Sequence, residues 1–222
     1  MKIVRDWLFK ILLLSSIPAL ASSSAALFGG FESKPEKGQI SFSHPGYEIS
    51  NILKDGAPFI KPEMEGAGSK SEPGQPDLPT MSTYYAVEPG KIFTINASIK
   101  ESEVIENVEV VPFETWNSQP TGVIEKGVTY QQSSSFPANI ATVSDPMVFR
   151  DIVMVQVSVT PFQYNPVSKT LTVIQEIDLE LVESGATEVP YIPQQKSREF
   201  EILYESLVVN YPSTIREGEE LS

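Results

Sequence analysis

The sequence predicts an all-β domain: an antiparallel β-sandwich, jelly-roll-like, with long loops and little helix. Three observations predict it. Two long arms of alternating apolar residues lie between Phe149 and Val182; seven or eight strand candidates in all are separated by Pro/Gly turns; and no amphipathic crossover helix is available to build a parallel α/β sheet.

Residues 1–21 precede the fold. Lys2, Arg5 and Lys10 form a basic n-region, Ile11 to Leu20 a short apolar h-region, and Ala19-Leu20-Ala21 a small-x-small site. Together they predict a secretory signal peptide cleaved after Ala21. The apolar run is well short of the ~20 residues needed to span a bilayer. The expected destination is therefore secreted, periplasmic or extracellular, with no membrane attachment after cleavage.

The chain has no cysteine. Disulfides, a thiolate nucleophile and Cys metal ligands are excluded, so stability must come from a core, and about 200 mature residues can bury one without splitting into domains. The net charge is −13, and segment 1–21 carries a net of two positive charges, leaving −15 on the mature chain. Such a surface repels nucleic acid and anionic membrane.

Residues 22–38 are rich in Ser, Ala, Gly, Lys and Pro and read as a flexible leader. The folded domain is expected over 39–211, with 212–222 a linker. Ile40-Ser41-Phe42 and Tyr47-Glu48-Ile49 alternate around His44-Pro45-Gly46, a hairpin-like entry. His44 is the only histidine; without a nucleophile or metal beside it, it reads as a turn residue. From Gly56 to Pro79 the prolines remove donors and forbid helix, allowing at most a sheet edge, with Leu78 as its buried anchor. Strand signals follow at Thr83–Val87 and Lys91–Ala97, joined across Pro89-Gly90 as antiparallel neighbours. Val104–Phe113 reads as a further strand.

Thr115 to Met147 is a long polar excursion, of the kind that is usually functional or disordered. The central stretch then places Val153, Val155, Val157 and Val159 on one face of a first arm. Leu171, Val173, Ile177, Leu179 and Leu181 fill one face of a second. Asn165 and Pro166 supply turn chemistry between them, which predicts one long antiparallel hairpin whose apolar face needs cover. Glu183–Lys196 reads as loop. Phe200, Leu203, Tyr204 and Leu207 recur at helical spacing in a stretch too short to separate helix from strand.

No catalytic constellation is present. There is no Gly-x-Ser-x-Gly elbow, phosphate loop, second histidine or His-containing metal spacing, so neither a cofactor nor a metal site is expected. Asp178 and Glu180, two apart on one strand face, read as the solvated side of the second arm. An alternative reading is an exported carbohydrate-binding or adhesive module, for which Tyr84, Tyr85, Trp116, Tyr130 and Tyr164 are the available aromatics.

Three stretches carry a family resemblance. Gly74-Gln75-Pro76-Asp77-Leu78-Pro79 leads to Val87-Glu88-Pro89-Gly90. Thr160-Pro161-Phe162-Gln163-Tyr164-Asn165-Pro166 precedes a Leu-x-Val strand, and Phe200-Glu201-Ile202-Leu203-Tyr204 leads to Val208-Val209-Asn210-Tyr211. This order resembles the N-terminal propeptide of gingipain-type cysteine endopeptidases, the C25 peptidase family, over about residues 40–212.

The resemblance implies a propeptide sandwich that keeps a cysteine-protease domain latent by covering its cleft and assists its folding. The partner would be that domain, in cis downstream or in trans; the catalytic Cys and His of the family lie in it, outside this chain. Because gingipain-type enzymes cut after Arg or Lys, the resemblance implies a basic residue inserted in the cleft, for which Lys126 and Arg150 are the candidates. Arg216, with Lys196 and Arg198 behind it, is the candidate for maturation cleavage.

Overall fold

The computed structural model describes residues 29–54, 56–114, 125–188 and 198–211, the side chains of 198 and 199 excepted. Their strands form two facing sheets. The first runs β1 (Phe31–Ser33), β2 (Gln39–Ser43), β12 (Thr170–Ala186), β11 (Phe162–Asn165), with β7 (Lys91–Ile105) along the other edge of β12. The second runs β5 (Gly68–Ser69), β6 (Pro79–Ala86), β10 (Ile152–Val159), β8 (Ala141–Val143), with β9 (Met147–Phe149) also on β10. A ribbon of β3 (Glu48–Lys54) and β4 (Ala57–Glu63) stands beside them, and one helix, α1 (Arg198–Leu207), covers the outer face of the second sheet. All the strand pairings within sheets are antiparallel, as expected.

Both apolar arms lie in the core, but they do not form one hairpin. β11 pairs with β12 from Asn165↔Thr170, beside the turn, to Phe162↔Val173, and there the pairing ends. Upstream of Pro161, which has no N–H to give a ladder, the chain joins the opposite sheet as β10. Its course stays straight: residues 136–143 run antiparallel to it throughout, with Phe136 opposite Tyr164 and Ala141 opposite Val159. The apolar faces of the two arms therefore meet across the core, Val155, Val157 and Val159 from one sheet against Leu171, Ile177 and Leu179 from the other. Each arm supplies the cover the other needs. Burial of each such side chain contributes about 1.5–3 kcal/mol.

β10 is buried on its reverse face too. Ile152 and Met154 pack with Tyr204 and Val208 beneath α1. That contact decides the ambiguous C-terminal stretch in favour of helix, because a ten-residue helix is marginal in water without tertiary packing.

Other expectations need correction. His44-Pro45-Gly46 and Pro89-Gly90 do not close hairpins: β3 pairs with β4 rather than β2, and β6 and β7 lie in different sheets. Lys91–Ala97 and Val104–Ile105 belong to one unbroken strand, β7; its middle is exposed on both faces, so no alternation marks it. The chain leaves β7 through Asn107, at φ 58°, and residues 109–111 then run against β4, with Ile60 opposite Val110. β12 continues past Val182 to Ala186. Residues 29–38, expected to be leader, open the sandwich, for Phe31 is fully buried. Residues 1–28 and 212–222, with the signal cleavage after Ala21, lie outside the described residues.

Candidate functional site

The Gly74-Gln75-Pro76-Asp77-Leu78-Pro79 run gathers distant backbone. Leu78 is buried, as predicted, and anchors it. The Gly74 N–H donates to the Phe113 carbonyl (3.1 Å), the Gly74 carbonyl accepts from the Gly127 N–H (2.8 Å), and the Gln75 carbonyl accepts from the Phe113 N–H (2.7 Å). Phe113 and Gly127 thus hang on the same two residues. Gly74 has φ +82°, and a Cβ there would stand 2.9 Å from the Gly127 nitrogen, so only glycine fits.

Lys126 lies against this clamp. Its ammonium pairs with Glu109 and sits over the rings of Phe59 (5.2 Å) and Tyr130 (5.6 Å). Glu109 also pairs with Lys169 at 3.1 Å. Burial pushes the Glu109 carboxyl up, yet the two lysines outweigh it and hold the group below the ordinary carboxylate value. Nearby, Lys54 and Glu114 pair at 2.7 Å.

The Pro-Phe-Gln-Tyr-Asn-Pro run fixes the described remainder of the excursion. Phe162 and Tyr164 are buried. Gln163 Nε2 donates to the Pro137 carbonyl (2.9 Å), Asn165 Nδ2 to the Ser133 carbonyl (2.7 Å), and Tyr164 Oη to the Val108 carbonyl (3.3 Å). Burial pushes the Tyr164 hydroxyl up to about 12. Asn165 Oδ1 accepts from the Val167 and Ser168 N–H groups, the turn its sequence position predicts.

Arg150 stands elsewhere. With Asp151 it forms the two-residue turn between β9 and β10, at φ +56°, and its guanidinium lies 3.6 Å over the Phe200 ring of α1. Tyr204 donates to Asp151; burial first, and that bond second, push the Tyr204 hydroxyl up. β10 separates Arg150 from the Lys126 region, and its eight residues span about 26 Å at ~3.3 Å per residue. Lys126 and Arg150 mark opposite ends of the domain.

Among the other singled-out residues, His44 accepts from the Gly46 N–H through Nδ1 (3.0 Å), the expected turn contact. Its ring also packs on Tyr47 and Phe162, which hides Nε2 and leaves it with no hydrogen-bond partner. Asp178 pairs with Lys34 (2.5 Å) and Lys100 (2.9 Å). Arg198 opens α1; Lys196, Arg216 and Trp116 lie outside the described residues. Tyr85 and Tyr164 are buried, and Tyr84 and Tyr130 are half-buried, so these four do not make a flat exposed sugar platform. No group of three His, Asp or Glu side chains among the described residues is placed to hold a metal.

Sequence reasoning missed Glu109, Phe59 and Gly127. Nothing in their local pattern marks them, because each matters only through partners distant in the chain.

The sandwich, with one excursion rooted by polar contacts and one helix strapped to its outer face, matches known proteins as a non-catalytic propeptide domain. The chain belongs to the C25 peptidase propeptide family: Propeptide_C25 matches residues 32–216. It is 32% identical to gingipain R2 of Porphyromonas gingivalis over 158 residues, 65% of this chain and 20% of that protein. To gingipain R1 of the same organism it is 32% identical over 148 residues, 64% of this chain and 15% of that protein. The chain therefore spans about a fifth or less of these relatives. The fold matches a structure described as the complex of Porphyromonas gingivalis RgpB pro- and mature domains, with TM-score 0.70 and 26% identity over 83% of this chain and 98% of that one. A structure concerning the zymogenic latency of gingipain K from the same organism shares the fold at TM-score 0.54 and 20% identity, covering 68% of this chain and 90% of that one.

Proposed function

We propose that this chain is exported by its N-terminal signal and that its sandwich keeps a C25 cysteine-protease domain latent by occluding the active-site cleft, while assisting that domain's folding. The observation that carries the reading is the clamp. Gly74 and Gln75 draw Phe113 and Gly127 together beside Lys126, giving a rigid root; on docking, Lys126 would exchange Glu109 and the Phe59 and Tyr130 rings for the cleft of a protease that cuts after Arg or Lys. Likeness to a structure described as a complex of pro- and mature domains supports the partner. Lys126 is the residue we favour for the cleft, Arg150 the alternative, and Arg216 the maturation site ahead of Arg198 and Lys196.

The test is a titration of the purified domain against a mature C25 protease. Stoichiometric inhibition that is weakened by a basic-residue substitution supports the reading; no inhibition at micromolar domain would sink it.

A further inference from the structure

The β3–β4 ribbon carries an apolar face further than its own core can cover. Partners directly opposed across the ribbon share a face, and one face runs Ile49 and Pro62, then Asn51 and Ile60, then Leu53 and Pro58. Ile60 belongs to the core, but burial falls toward the tip, where Leu53 is 74% exposed. Lys54 beside it pairs with Glu114, the residue after Phe113 of the clamp. Val128 follows Gly127, the other residue that the clamp holds, and opens a 3-10 turn, Val128–Gln131. It too is 74% exposed, and no other large apolar side chain among the described residues exceeds these two. Val167, 60% exposed, lies in the β11–β12 turn, whose Lys169 shares Glu109 with Lys126.

Single exposed apolar residues need no explanation, whereas several set around one structural feature mark an interaction site. These three surround the clamp. The lysines between them are each matched by a carboxylate: Lys54 by Glu114, Lys126 and Lys169 by Glu109, and Lys61 by Glu63 and Asp77. Apolar points in a rim of paired charges are the make-up of a protein–protein interface. Resting on the latency function above, we propose that Leu53, Val128 and Val167 are the apolar anchors by which this end of the sandwich seats on the C25 protease domain. Two observations name that occupant. The anchors are continuous with the root that presents Lys126, and the fold matches a structure described as a complex of pro- and mature domains. Each anchor is bare in the free domain because its cover is the partner.

Inhibition constants of the purified domain against a mature C25 protease test this, with urea unfolding as the check on folding. Leu53→Asp, Val128→Asp and Val167→Asp should each raise the inhibition constant about tenfold or more, with the urea midpoint unchanged because the side chains are exposed. Ile202→Asp serves as the contrast: Ile202 is 62% exposed on α1, at the Arg150 end, and its substitution should leave inhibition unchanged. If an aspartate variant loses its unfolding transition, alanine at the same position replaces it, with a loss of about threefold expected for the smaller apolar area removed. Wild-type inhibition that all three variants retain would overturn the anchors and leave the latency reading standing. So would a loss on Ile202→Asp that the three do not show, since the docking face would then lie at the other end. A wild-type domain that does not inhibit sinks the latency reading itself, and the anchors with it.

Discussion

Asn210 closes both ends of its amide on one residue, Ala86: Oδ1 accepts from the Ala86 N–H at 2.8 Å, and Nδ2 donates to the Ala86 carbonyl at 3.0 Å. Both groups are buried, so losing the amide strands a donor and an acceptor at about 1–3 kcal/mol each. Asn210→Ala should destabilise the domain by about 2–4 kcal/mol in urea unfolding. Asn210→Asp should cost more, because it loses the donor and buries a charge.

Processing follows from the same strap. Tyr204, Val208 and Asn210 are part of the buried structure, so a cut at Lys196 or Arg198 would sever α1 from the domain it covers. N-terminal sequencing of a processed precursor should place the new terminus just beyond Arg216. A terminus remote from all three basic residues would refute the assignment.

Gly74→Ala puts a methyl group against the Gly127 nitrogen at a positive φ that alanine disfavours. A loss of about 1–3 kcal/mol is expected in denaturant unfolding, and inhibition should fall even at temperatures where the variant remains folded. Unchanged inhibition by a folded Gly74→Ala domain would dissociate the clamp from latency.

Lys126 and Arg150 lie too far apart to enter one cleft. Of Lys126→Ala and Arg150→Ala, one should raise the inhibition constant tenfold or more, about 1.4 kcal/mol, and the other should leave it nearly unchanged. Two unchanged constants would remove the basic-insert idea altogether.

His44 gives the domain a pH dependence of known sign. Burial holds its imidazole below the ordinary value of 6.5, against smaller opposing effects from its own backbone contact and from Glu103. As pH falls, the unfolded chain takes up the proton first, so stability declines as pH drops through 6.5 and the decline ends only below the folded value. The urea midpoint should fall between about pH 7.5 and 5.5. His44→Phe, which keeps a ring on Tyr47 and Phe162, should flatten that dependence.

The sequence by itself determined the class of fold, the core faces of both arms and the three motifs. These are local properties: Val153–Val159 and Leu171–Leu181 show their buried face by alternation, Asn165 shows its turn by its own side chain, and Leu78 stands out as an apolar residue among prolines. What only the tertiary structure decided is which strands share a sheet. A Pro/Gly break looks the same whether it closes a hairpin or arches from one sheet to the other, so Pro89-Gly90 and His44-Pro45-Gly46 could not be sorted in advance, and nothing local marks Pro161 as the point where a straight run changes sheets. β7 was hidden for a related reason: its order comes from hydrogen bonds to β12, not from a buried face. The candidate site was legible only in part, as Lys126 and the Gly74 motif, because the clamp between them is made of backbone contacts among Gly74, Phe113 and Gly127 that no local pattern encodes.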